Sequence, residues 1–153
     1  MKYMTFSFAA MSLAFGLATA VPTPQGGGSP TVTWGVTDFD LYSSASTGEA
    51  SITFRTTAAD NLDPNIYYLC SATVPAEADG GVPTMTRLPC DSPGLSFSFN
   101  PATEDSTTFP SLLIYTPSQL GVSVFRRDVL VLNNGTERWM GTSSFGISNI
   151  FDA

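Results

Sequence analysis

Apolar positions along this chain fall into two regimes. Phe6 to Leu17 is an almost unbroken apolar run, whereas from Thr31 onward the chain is cut into short, β-rich runs separated by turn formers. In the second regime Val32, Trp34 and Val36 alternate with polar or small residues, and Phe39 and Leu41 resume the alternation after a one-residue slip near Asp38. A slip of that kind predicts a β-bulge. Ile52 and Phe54 alternate with Ser51, Thr53 and Arg55. Tyr67 to Val74 is a third run, and Leu95, Phe97 and Phe99 form a fourth with clean period-two alternation. Ser111 to Tyr115, Val122 to Leu132 and Arg138 to Ile150 follow. Ala76 to Thr86 carries two adjacent glycines and a proline, and Pro101 to Pro110 is rich in Ser and Thr, so both read as loops. Seven or more short strands at intervals of about 10 to 20 residues predict an all-β fold, an antiparallel sandwich or barrel.

The sharpest local pattern is Leu130 to Trp139, centred on Asn134-Gly135. Asn-Gly is the preferred centre of a type I′ two-residue turn because both positions need positive φ. Closure there sets Asn133 opposite Thr136, Val131 opposite Arg138 and Leu130 opposite Trp139. Leu130 and Leu132 then share one sheet face, with Val129 and Val131 on the other. A strand apolar on both faces is usually central in a barrel or covered by another layer. The alternative is that one face is buried in a homodimer.

The N-terminal run belongs to a different kind of segment. Lys2 provides a positive start, and Ala18-Thr19-Ala20 places small residues where a signal peptidase reads them. The run is short of the roughly 20 apolar residues that span a bilayer, so residues 1–20 read as a cleaved signal peptide rather than a membrane anchor. Residues 21–30 (VPTPQGGGSP) have nothing to bury and read as a flexible leader. Residues 31–153 make one all-β domain. The C-terminal Ile150-Phe151-Asp152-Ala153 has no hydrophobic tail of the lipid-anchor kind. The expected location is secreted and extracellular, with no membrane association and a mature chain starting at Val21.

Charge narrows the partners. Without the signal the chain contains no lysine; its cations are Arg55, Arg87, Arg126, Arg127 and Arg138 against 13 acids, a net charge of −8. So acidic a protein repels phosphate backbones, which argues against nucleic-acid binding.

The chain also contains no histidine. That removes the commonest general base and metal ligand, and every nucleophile arrangement that relies on imidazole. Schiff-base and Ser-Lys chemistry go with the missing lysine. Asp38 and Asp40 are a residue pair that could serve glycoside hydrolysis: two apart on a regular strand, they would project from one face about 6.5 to 7 Å apart. The plainer expectation is a solvated edge with Phe39 pointing inward. Asp60-Asn61-Leu62-Asp63 offers oxygen ligands, but it lacks the glycine and distal glutamate of a calcium loop and reads as a polar turn closed at Pro64. Arg126-Arg127 is a dibasic pair of the kind secretory proteases cut, placed inside the longest strand candidate and so expected to be one exposed and one pairing arginine. Of Tyr67 and Tyr68, either of which could stack on a sugar, at most one can face outward. No catalytic, cofactor-binding or metal-binding residue is assigned, and no cofactor is expected.

Cys70 and Cys90 are the only cysteines. In an oxidising secretory context an even pair reads as a disulfide, the alternative being two free buried thiols. Asn134-Gly135-Thr136 is the only N-x-Ser/Thr site without an intervening proline, and its hairpin tip makes Asn134 the candidate glycosylation site.

Taken together, these residues resemble a family of small secreted fungal proteins, those like the major allergen of Alternaria and related elicitors of plant defence. The likeness runs through the signal peptide, Val32-Thr33-Trp34-Gly35-Val36-Thr37-Asp38-Phe39, Ser51-Ile52-Thr53-Phe54, Tyr68-Leu69-Cys70-Ser71-Ala72, Pro89-Cys90 and the alternation at Phe97 and Phe99. It implies a β-barrel, secretion, a tendency to dimerise and no enzymatic activity. The expectation is a non-enzymatic, effector- or elicitor-like binding protein whose partner is a host protein or a cell-wall glycan, with a possible homodimer. A structural role in wall or matrix, and a carboxylate-dependent glycan-active enzyme, are the alternatives.

Overall fold

A computed structural model describes residues 33–58, 66–102 and 108–152. The signal peptide, the leader and the turn at residues 60–64 lie outside them. The described chain is two antiparallel sheets packed face to face and joined at both margins. In chain order the strands are β1 Trp34–Ser44, β2 Glu49–Thr56, β3 Tyr68–Pro75, β4 Met85–Pro89, β5 Ser96–Asn100, β6 Ser111–Tyr115 and β7 Gln119–Val124. A 3₁₀ turn at Arg127–Val129 precedes β8 Leu130–Asn133, β9 Thr136–Trp139, β10 Phe145–Ile147 and β11 Asn149–Asp152. The all-β expectation holds.

The first sheet runs β3-β2-β1-β9-β8. β1 shares its second edge between two short partners: β9 takes Tyr42 to Ser44, and β10 takes Trp34 to Val36. Between them the Phe39 N–H donates to the Ser143 carbonyl at 2.9 Å, so the backbone stays paired across the gap. The bulge inferred from the phase slip is present. The β1–β2 register shifts between Thr37 and Asp40, and Asp38 has φ of 54°. The extra residue keeps Val36, Phe39 and Leu41 all inward, each at most 2% exposed.

The second sheet runs β11-β7-β6-β5-β4. On one margin a single residue, Ser148, separates β10 in the first sheet from β11 in the second, so the chain turns a corner and closes that side. On the other margin a Cys70–Cys90 disulfide ties β3 to the residue after β4, and the Asp91 N–H donates to the Leu69 carbonyl at 2.9 Å beside it. The expected bond is thus part of the architecture. Its two cysteines are direct neighbours in a bridge between the two sheets on that side.

Inside, Phe39 is the hub of the core. Its ring centroid lies 4.7 Å from Trp139, 5.6 Å from Phe145, 5.8 Å from Phe54, 6.2 Å from Phe125 and 6.4 Å from Phe99. Phe54 and Phe97 meet edge to face across the sheets at 5.2 Å. The buried Trp34 ring lies flat against Gly121 of β7, where any side chain would collide with it.

Several readings of the C-terminal third need correction. The run Val122 to Leu132 is not one strand: β7 stops at Val124, and the chain turns through Arg127–Val129 before β8. Arg126 and Arg127 are therefore both exposed in that turn. Arg126 pairs with Asp128 at 2.8 Å, while the Arg127 guanidinium lies 5.4 Å from the Phe109 ring centroid. The run Arg138 to Ile150 likewise breaks into β9, β10 and β11, because β9 leaves the edge of β1 and β10 rejoins it further along. The hairpin itself forms in the expected register, with Leu130 opposite Trp139, Val131 opposite Arg138 and Asn133 opposite Thr136. Asn134 and Gly135 take φ of 50° and 72°, as a type I′ turn requires. But β8 is neither central nor covered. With β9 and β10 occupying the edge of β1, β8 is left outermost, and Val131 and Leu132 are 46% and 45% exposed.

Candidate binding face

Strand alternation gives each sheet an inner and an outer surface, and here the two outer surfaces differ in chemistry. The first sheet is hydroxyl-rich outside: Tyr42 lies beside Ser51, which lies beside Thr73, and the next row is Asp40, Thr53 and Ser71. The second sheet is apolar outside along β6 and β7, whereas β5 turns Ser96, Ser98 and Asn100 to that side. Leu112 and Ile114 of β6 point inward and are fully buried, which turns Leu113 and Tyr115 outward. Register then aligns Phe151, Leu120 and Tyr115 in one row and Val122 with Leu113 in the next; Val124 follows opposite Ser111. Phe151 is 55% and Val124 59% exposed. Three strands at about 4.8 Å spacing and some five residues of length make a patch of about 240 Å² in projection. That is a little below the size of the largest apolar patch on an ordinary monomer, and such patches are often functional.

A single cation sits on this face. The Arg87 guanidinium lies 3.4 Å from the Tyr115 ring centroid. It is placed there by a bulge in β4 between Met85 and Leu88, where Arg87 adopts φ of 52° and its N–H donates to the Ser98 hydroxyl at 2.9 Å. The stacked arginine covers the Tyr115 ring. The face therefore offers aliphatic surface, one oriented guanidinium over its central tyrosine, and the exposed Phe151 ring at its β11 margin.

The residues singled out in the sequence are placed elsewhere. Asp38 and Asp40 are both exposed and flank the buried Phe39. The bulge, however, replaces the regular two-residue step from which their spacing was reckoned, and Asp38 is turned toward Arg55 at 3.7 Å, an exposed pair. Of the adjacent tyrosines, Tyr67 is outward, 46% exposed, and Tyr68 packs partly against the core. Asn134 is exposed at the hairpin tip, while the Gly135 carbonyl accepts from the Ala45 N–H at 2.8 Å, so the tip is anchored but the Asn134 side chain is open. Among the described residues no group of three or more His, Cys, Asp or Glu could hold a metal ion, and no helix is long and apolar enough to cross a membrane.

One carboxylate went unnoticed in the sequence. Glu137 of β9 is half-buried, and its Oε2 accepts the Val82 N–H at 2.6 Å, clamping the loop before β4 to the hairpin. Burial raises its pKa; the Val82 bond pulls it down, and the charge of Asp79 adds to the rise. Its only sequence signal is a Glu at a position opposite the inward Ser43. No family model matches the chain, and neither the curated proteins nor the solved structures include a match to it.

Proposed function

We propose that this chain is a small secreted, extracellular, non-enzymatic binding protein, effector- or elicitor-like, that engages a host protein through the outer face of β6, β7 and β11. The observation that carries the reading is the apolar surface of Leu113, Leu120, Val122 and Phe151 on a chain whose net charge is otherwise −7. Exposed aliphatic area of this size is stabilised by meeting another apolar surface. A protein fits it better than a wall glycan, because the one central aromatic, Tyr115, is already covered by Arg87. Secretion and a fungal source are supported by the N-terminal pattern and by the sequence likeness to the Alternaria allergen group. The disulfide is compatible with that compartment.

Leu120→Asp with Val122→Asp places two charges on the face without touching the core. The secreted parent and this variant are used side by side as bait in host extracellular extract and on washed wall polysaccharide. Specific capture of a host protein, reduced at least about tenfold in the variant with an unchanged circular dichroism spectrum, is the expected result. Equal retention of both on wall polysaccharide would instead support a structural role. Polysaccharide hydrolysis by the parent that is lost in Asp38→Asn with Asp40→Asn would replace the proposal with an enzyme.

A further inference from the structure

Outermost strands present unpaired N–H and C=O groups, and proteins blunt such edges with prolines, bulges, charges or covering segments. Three of the outermost strands here are blunted. β3 ends in Pro75 and is covered at Leu69 and Cys70 by the 90–91 segment. β4 carries the Arg87 bulge and ends in Pro89. β11 ends in Asp152. β8 has none of these devices: Leu130-Val131-Leu132-Asn133 is regular, uncharged and apolar on both faces, and among the described residues only β9 lies beside it.

The phase of its hydrogen bonds follows from the turn. In a two-residue hairpin the flanking residues exchange both bonds, so Asn133 and Val131 direct their N–H and C=O groups at β9. The Met140 N–H donating to the Val129 carbonyl at 2.7 Å continues that phase. The N–H and C=O of Leu130 and Leu132 therefore point away from the sheet, toward the open edge.

We infer that β8 is a self-association edge: two copies join β8 to β8, antiparallel about a two-fold axis, merging their first sheets into one. The outward groups fix the register. Leu130 pairs with Leu132 of the partner subunit and the reverse, giving four N–H···O bonds. Val131 meets its own copy across the axis in the close, non-hydrogen-bonded position. That register brings in the two exposed apolar side chains of the hairpin strand, Val131 and Leu132.

Charge favours a second copy over another extended strand. The two ends of the edge differ in charge. Arg126 and Arg127 stand at its entry with Asp128, which pairs with Arg126 and leaves one net positive charge there; at its exit the hairpin tip packs on the turn bearing the exposed Glu77 and Asp79, the Gly135 carbonyl lying against Gly80. Antiparallel pairing sets the basic entry of each copy beside the acidic exit of the other. Arg138, the cation nearest Val131, lies one strand further out on each side. The two Arg138 residues are thus separated by three strand spacings, about 14 Å, beyond the Debye length of physiological salt. The contact is small, so the dimer belongs to the weak class.

The test uses the full secreted protein, followed by sedimentation velocity from about 1 to about 500 µM. Amide hydrogen exchange is measured at both ends of that range. A dimer that accumulates with concentration is expected, with the Leu130 and Leu132 amides becoming protected as it forms. Leu132→Pro removes an N–H that points only at the open edge, so it spares the hairpin ladder and weakens the dimer at least about tenfold. Should that variant fail to fold, Val131→Glu serves: it faces Arg138 within its own copy but sets two carboxylates against each other at the axis. A monomer throughout the range overturns the inference, as does a dimer that survives both substitutions. A dimer lost instead in Leu120→Asp with Val122→Asp, and kept in the β8 variants, overturns it too by placing the second copy on the apolar face. None of these outcomes depends on whether a host partner is found.

Discussion

Replacing Phe39 by alanine removes a ring around which aromatic rings from both sheets gather. Its ring is 2% exposed and has five aromatic neighbours, with Trp139 at 4.7 Å edge-on and Phe145 at 5.6 Å edge-on. Phe→Ala in a packed core costs about 3–5 kcal/mol, and the edge-to-face contacts place this site near the top of that range, at about 4–5 kcal/mol. For a domain of this size that corresponds to a fall in Tm of roughly 15–20 °C. Phe39→Leu keeps most of the volume and loses the ring contacts, so it should cost about 1.5 kcal/mol. Urea unfolding, read by tryptophan fluorescence and by far-ultraviolet circular dichroism, measures both variants. The two probes should coincide, with the slope against urea unchanged. Trp139 gives the fluorescence a reporter directly in contact with the mutated ring. A loss below about 1 kcal/mol for Phe39→Ala would refute the hub, because it would mean the surrounding rings close over the space without cost.

Reduction of the native protein should raise its mass by about 2 Da, and Cys70→Ser with Cys90→Ser should cost about 3 kcal/mol for the 20-residue loop; two thiols that alkylate freely without reductant would contradict this. The raised pKa of Glu137 means that the folded chain binds its proton more tightly than the unfolded one, so this group's contribution favours folding at low pH and is lost as pH rises from about 4.3 through the folded value. Urea midpoints of the parent and of Glu137→Gln, compared across that window, should therefore diverge in that direction; parallel profiles would remove Glu137 as the source. Secretion from a glycosylating host should add a glycan that Asn134→Gln abolishes, read as a single mass step, and unmodified Asn134 in that host would refute it.

Much of the fold could be read from period-two alternation, because inward positions are fixed by burial alone. Val36, Phe39 and Leu41 reveal both the strand and its bulge, since a slipped phase has one economical structural solution. The Asn134-Gly135 register was legible for a similar reason, as few other dipeptides tolerate two positive φ values. The position of β8 was not. An apolar strand carries no mark of which neighbour covers it, and here no further strand among the described residues pairs beyond β8. Strand ends between Val122 and Ile150 were hidden because the turn at Arg127–Val129 is made of residues that strands also accept. The apolar face was written in Leu113, Tyr115, Leu120 and Val122, but outward and inward apolar residues look alike until Leu112 and Ile114 are seen to fill the core.

The division of β1 between β9 and β10 also sets an order of assembly. β1, β2 and β3 are sequential neighbours and can zip up from local turns, and Cys70 and Cys90 are close enough in sequence to pair early. The other edge of β1 has no local partner: Trp34 waits for Ile147, roughly 110 residues downstream. Until that segment arrives, the Phe39 face of the first sheet lies open to solvent and to other chains. Folding should therefore be limited by closure of β10 onto β1, on the millisecond-to-second scale of non-local β topologies. Substitutions at Phe145 or Ile147 should lower secreted yield through prolonged exposure of this half-built sheet more than their equilibrium cost alone would suggest.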